Sequence, residues 1–122
     1  KLNPQALTLS DVISFHSYFD LETTSGLVSE LQDLGRPLLC TEYLARKEGC
    51  FFETHLPLFK QEKIGCYNWG LVSGKTQTIY SWEEMIETGE EPPLWFHDIL
   101  QADGTPYRQE EAQVIRKLTA ES

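Results

Sequence analysis

The stretch Arg36–Gly49, RPLLCTEYLARKEG, decides how the rest of the chain is read. Pro37-Leu38-Leu39-Cys40 is a short apolar run of the kind that forms a buried strand. It ends by delivering a carboxylate, Glu42, just before a charged loop. Two further runs share its character: Val12 to Tyr18 and Lys63 to Trp69 are rich in β-branched or aromatic residues and bounded by turn signals. We therefore expect strands over 12–18, 37–43 and 63–69.

Helical patterns separate these strands. Between the first two, Leu27, Val28, Leu31 and Leu34 form an apolar stripe, with Thr24 or Ser25 as the expected cap and Gly35 as the stop. Between the second and third, Phe52, Leu56 and Phe59 share a face over residues 53–61, and Pro57 suggests a kink or a late start. After a long excursion, Asp103-Gly104 makes a turn. A last helix is expected from Thr105-Pro106 to about Leu118, burying Ala112, Ile115 and Leu118. Strands separated by single helices imply parallel pairing with right-handed crossovers. The fold class is thus α/β. Three such strands leave two bare edges, so the pattern suits one part of a larger sheet or barrel, and the first residue, Lys1, fits a processed chain or a cut piece.

Composition narrows the partners. The 122 residues make one small domain, and a formal net charge of −9 disfavours nucleic acid and anionic membrane surfaces. No apolar run approaches the ~20 residues that span a bilayer. Glu83, Glu84, Glu87, Glu90 and Glu91 lack the alternating oxygen ligands of a calcium loop and read as a solvated loop or short helix. Cys40, Cys50 and Cys66 are odd in number and form no CxxC pair, so neither a disulfide framework nor a zinc site with His55 is indicated. Gly74-Lys75-Thr76 imitates the tail of a phosphate-binding loop, but Trp69 stands where the first glycine should be, and Gln77 to Tyr80 looks extended rather than helical.

Functional groups of parallel α/β folds gather where strands end and loops open a cleft. Here the strands end in His16-Ser17-Tyr18, Glu42-Tyr43 and Asn68-Trp69. Alternation puts Ser14, His16 and Tyr18 on one face, and Leu38, Cys40 and Glu42 on one face of the next strand. If both faces point into one mouth, the Tyr18 hydroxyl reaches Glu42, and such a bond favours the ionised carboxylate. An oriented carboxylate can attack the anomeric carbon of a sugar, and Trp69 offers a flat surface to its C–H face. The loop after Trp69 is expected to bring Lys75 and Gln77 within reach of sugar hydroxyls. Taken singly, each residue has a structural reading: Glu42 as an ion pair with Arg46 or Lys47, His16 as a framework histidine, Tyr18 and Trp69 as packing.

The segments DVISFHSY (11–18), RPLLCTEY (36–43) and KIGCYNWGLVSGKTQT (63–78) resemble strands six, seven and eight of a clan A glycoside hydrolase. The nearest likeness is to the cellulase-like enzymes of glycoside hydrolase family five and to related endo-1,4-β-xylanases. PLWFHDILQADGTPY (93–107) resembles the run into the final helix of such proteins. The resemblance implies a (β/α)8 TIM barrel, present here as strands six to eight, that hydrolyses β-linked glycans with retention. It implies Glu42 as nucleophile and His16 and Tyr18 as the pair that contacts substrate and orients it. Trp69 would be the platform beside the cleaved sugar, with Asn68, Lys75 and Gln77 as further substrate contacts. It also implies no metal or organic cofactor, and suggests a secreted or periplasmic protein.

One departure limits this reading. Retaining hydrolysis needs a second carboxylate ~5–5.5 Å from the first. The family carries it on an Asn-Glu pair of strand four, and this chain has no Asn-Glu dipeptide. The expectation is one part of a barrel that supplies the nucleophile, inactive by itself, with strand edges that favour self-association. A glycan-binding barrel without catalysis, and an unrelated parallel α/β domain, are the alternatives.

Overall fold

A computed structural model of the chain describes residues 3–83 and 90–120. Its elements run α1 (Pro4–Leu9), β1 (Ile13–Ser17), α2 (Leu21–Gln32), β2 (Leu38–Tyr43), a 3₁₀ turn (Arg46–Glu48), α3 (Phe52–Gln61), β3 (Gly65–Asn68) and α4 (Gln109–Ala120). The strands form a parallel sheet in the order β1-β2-β3, as the βαβαβ pattern requires. The α/β class is therefore correct, and each of the three strands is shorter than its apolar run. Glu84 and Glu87 of the acidic cluster lie outside the described residues, while Glu83, Glu90 and Glu91 are exposed.

One face of the sheet carries the core. Ile13, Phe15, Leu38 and Cys40 pack there against Val28 and Leu31 of α2 and Phe52 and Phe59 of α3. Burying each such large side chain contributes ~1.5–3 kcal/mol. The opposite face is open: Ser14 and His16 are exposed while Ile13, Phe15 and Ser17 are buried. Leu39 crosses this open face above Gly65, where an added Cβ would meet the leucine Cδ1 at 2.8 Å.

Local signals explain three differences from expectation. The cap of α2 is Asp20, whose Oδ1 accepts from the Thr23 amide at 2.8 Å, so the helix begins before Thr24 and Ser25. Thr24 is buried inside it, and Leu34 falls past its end with 43% exposure. Asn3 and Pro4 open the short α1, with the asparagine accepting from the Gln5 and Ala6 amides. This helix was not expected. Finally, Thr105 is held in the Asp103 turn by its amide and hydroxyl, and Pro106 pairs with Leu100 in an isolated bridge, which delays α4 to Gln109. Ala112 is buried, whereas Ile115 and Leu118 are half-buried. α3 contains Pro57 within a helix that begins at Phe52, not late.

A charged group fastens the far end of the chain to the sheet. Arg46, just past β2, makes a bidentate pair with Glu111 of α4 at 2.7 and 2.6 Å, with both side chains fully buried. Two further donors reach the carbonyls of Trp95 and Asp98, each at 3.0 Å. The segment 95–98 is thereby clamped over the carboxyl end of β2.

Candidate active site

Strict alternation would place Glu42 with Leu38 and Cys40, on the buried face. The register prevents this. Phe15 pairs with Cys40, but the next residue, His16, pairs with Glu42, so β2 carries one extra residue at Thr41. The ladder to β3 shifts in the same interval, between Cys40 and Tyr43. A β-bulge thus turns Glu42 onto the open face beside His16, correcting the expected grouping of Leu38, Cys40 and Glu42.

The result is a compact polar group at the carboxyl ends of β1 and β2. The Tyr18 hydroxyl donates to Glu42 Oε2 at 2.5 Å, and His16 Nδ1 lies 3.3 Å from the same oxygen. The Glu42 side chain is 26% exposed and that of His16 53% exposed, so the carboxylate is shielded yet reachable. Burial, reinforced by the hydrogen bond and the charge of Glu42, pushes the Tyr18 hydroxyl well above its ordinary range. Tyr18 therefore remains a donor at every physiological pH. Arg46, a candidate ion-pair partner for Glu42, is committed to Glu111 instead.

Two residues that sequence reasoning passed over complete the surroundings. His97 is buried, and its Nδ1 lies 2.5 Å from the Leu44 carbonyl, which can only accept, so Nδ1 carries the proton. Leu44 has φ +83°, an unfavourable value for a leucine, two residues after Glu42. His97 thus braces the turn that ends β2, and its ring also packs against Tyr18 at 5.6 Å. Burial lowers the His97 pKa and favours its neutral form. The second residue, Trp82, meets Tyr18 edge-on at 5.3 Å and also packs on Phe96 and His97. An apolar run gives no hint of the His97–Leu44 or the Trp82–Tyr18 contact, because each joins residues more than fifty positions apart.

The remaining expected site residues sit on the β3 side. Asn68 ends β3 and spends its amide on the Gly70 carbonyl at 2.6 Å. Trp69 is 46% exposed and lines a cleft of about 640 Å³ with Leu71, Val72, Thr78 and Asp98. Lys75 and Gln77 are exposed in a turn, with Gln77 at φ +55° bonding back to Gly74, so the segment 77–80 is not extended as expected. Gly70 has φ +83°, and an added Cβ there would lie 2.7 Å from Asp98 Oδ1 and 2.8 Å from His97 Cβ. Glycine is what allows the β3 exit to touch the clamped 97–98 segment.

His55 anchors the framework and takes no place at this rim. Its Nε2 bonds the Phe19 carbonyl at 2.9 Å, and burial lowers its pKa. Cys40, Cys50 and Cys66 are free thiols; burial pushes Cys40 up to about 12. Among the described residues, no group of three or more His, Cys, Asp or Glu is arranged to hold a metal ion, and no helix is long and apolar enough to cross a membrane.

What the geometry offers is one carboxylate, held by a phenol and flanked by an imidazole, at the open end of a parallel sheet with exposed indoles in its neighbourhood. Comparison with protein-family models, curated proteins and solved structures gave no match to this chain.

Proposed function

We propose that this chain supplies the nucleophile half of a retaining β-glycoside hydrolase, with its three strands serving as strands six to eight of a (β/α)8 barrel. The observation that carries this reading is the convergence of Tyr18 and His16 on Glu42 Oε2 at the carboxyl end of a bulged parallel strand. The bulge turns the carboxylate off the core face and onto two polar partners, and bulges of this kind recur beside active sites, where they re-aim a side chain.

In the proposed reaction a carboxylate oxygen of Glu42 bonds to the anomeric carbon as the bond from that carbon to the leaving oxygen breaks. A general acid protonates the departing oxygen. Water then attacks the same carbon, giving its proton to the conjugate base of that acid, and Glu42 is released. Tyr18 and His16 fix the carboxylate for attack and stabilise its charge when it leaves. Among the described residues, the side-chain hydrogen bond and ion contact of Glu42 come from Tyr18 and His16, neither of them a carboxylic acid. The chain has no Asn-Glu pair, so this reading assigns the general acid to strand four of the barrel. This chemistry calls on protein side chains and water, and the substrate class is a β-linked oligo- or polysaccharide.

Chemical rescue tests the assignment. In the protein at its full natural length, Glu42→Ala abolishes hydrolysis of dinitrophenyl β-glycosides, and added azide restores turnover by entering the vacated space and forming an α-glycosyl azide. Full activity in Glu42→Ala contradicts the reading.

A further inference from the structure

Trp82 poses a question that packing does not answer. The indole makes three aromatic contacts, to Tyr18 at 5.3 Å, Phe96 at 4.7 Å and His97 at 6.0 Å, yet 63% of its surface remains exposed. A tryptophan recruited for the core would turn its apolar surface inward, as Trp95 does at 4% exposure, stacked on Tyr107. Trp82 is instead held in place by its neighbours while most of its surface faces water.

Its position is specific. A single side chain, Tyr18, separates it from the Glu42 carboxylate, since Tyr18 touches Trp82 with its ring and Glu42 with its hydroxyl. Trp82 also lines a hollow of about 400 Å³ with Lys47, Glu48, Ser81 and Glu83. Lys47 and Glu48 are exposed and follow Glu42 on the loop that leaves β2. An aromatic surface ringed by a cation, a hydroxyl and carboxylates matches a pyranose, which shows an apolar C–H face and a rim of equatorial hydroxyls.

We propose that Trp82 and this hollow form a sugar-binding subsite, in which the indole stacks against the ring adjacent to the one attacked at Glu42, in a β-linked oligosaccharide with equatorial hydroxyls. This rests on the proposed role of Glu42. Through Tyr18 the subsite is also coupled to the carboxylate: a sugar pressing on Trp82 bears on the ring whose hydroxyl holds Oε2.

The test uses full-length protein carrying Glu42→Gln, which binds without turnover, titrated calorimetrically with β-1,4-linked gluco-, xylo- and mannotetraose. The expected result is binding of at least one tetrasaccharide, weakened about tenfold or more by adding Trp82→Ala and within about threefold of the parent for Trp82→Phe. Unchanged affinity in Trp82→Ala overturns the proposal, and so does equal loss in both variants with their unfolding midpoints unaltered. Should Trp82→Ala fail to fold, N-bromosuccinimide oxidation of the Glu42→Gln protein decides: protection of Trp82 by the tetrasaccharide supports the subsite, and no protection overturns it. If no tetrasaccharide binds while a fluorinated glycoside still labels Glu42 in the native protein, the subsite falls alone. If neither occurs, the role of Glu42 falls with it.

Discussion

Tyr18 and Glu42 lie 24 residues apart in the chain and meet at 2.5 Å, the hydroxyl of one donating to the carboxylate of the other across neighbouring parallel strands. The contact exists because the extra residue at Thr41 changes the face on which Glu42 stands. Tyr18→Phe removes the donor and keeps the ring. A hydrogen bond to a charged group is worth ~1.5–3 kcal/mol, so glycosylation of Glu42 should slow by about 10- to 100-fold. Because the ring remains against Trp82 and His97, the unfolding midpoint should barely move. Inactivation kinetics with a fluorinated glycoside, beside a thermal melt, measure both.

The Arg46–Glu111 pair is a matter of stability. Both side chains are fully buried, so removing one leaves the other charged and unpaired. Arg46→Met should destabilise the protein by about 3–5 kcal/mol, and the double variant with Glu111→Met by clearly less. Urea unfolding of the two single variants and the double variant gives the coupling. Additive losses would contradict it.

Backbone crowding at Gly70 yields a separate expectation. Gly70→Ala places a Cβ 2.7 Å from Asp98 Oδ1 on a residue at φ +83°. Strain and overpacking together should cost roughly 2–5 kcal/mol. The displaced segment carries His97, so labelling of Glu42 should also slow. Gly74→Ala, with nothing within 4 Å of its added Cβ, is the control and should be close to neutral.

The histidines set the pH response. His55 and His97 are held below the ordinary value of 6.5, mainly by burial, so the unfolded chain binds protons that the folded chain refuses. Stability from these groups is fully present above that value and is lost as pH falls through it toward the lowered folded values. Thermal midpoints should therefore decline between about pH 7 and pH 5, and His97→Gln or His55→Gln should flatten the decline. A midpoint that rises on acidification would contradict the assignment.

Much of this architecture is legible in the sequence, and the gaps have physical causes. The strands announce themselves because Val12 to Tyr18, Pro37 to Tyr43 and Lys63 to Trp69 are apolar runs between turn signals, and helices that separate them force parallel pairing. Glu42, His16 and Tyr18 follow as a group from the rule that polar groups collect where parallel strands end. The bulge does not follow. Leu38-Leu39-Cys40-Thr41-Glu42-Tyr43 can be read in either alternation, and only pairing with both neighbours fixes Thr41 as the extra residue. The cap of α2 was misplaced because Thr24 and Ser25 are common caps, while Asp20 stands closer to β1 and serves first. Trp82 and His97 escaped notice because their roles come from contacts with Tyr18 and Leu44, long-range pairings that no local pattern encodes.

The claim that Glu42 is the nucleophile is tested most directly by trapping the covalent intermediate. Full-length protein is treated with 2,4-dinitrophenyl 2-deoxy-2-fluoro-β-glycosides of glucose, xylose, mannose and cellobiose, then digested and mapped by mass spectrometry. One sugar ester on Glu42, absent from Glu42→Gln, is the predicted result. An adduct on any other residue, or no adduct with any of these reagents, would contradict it.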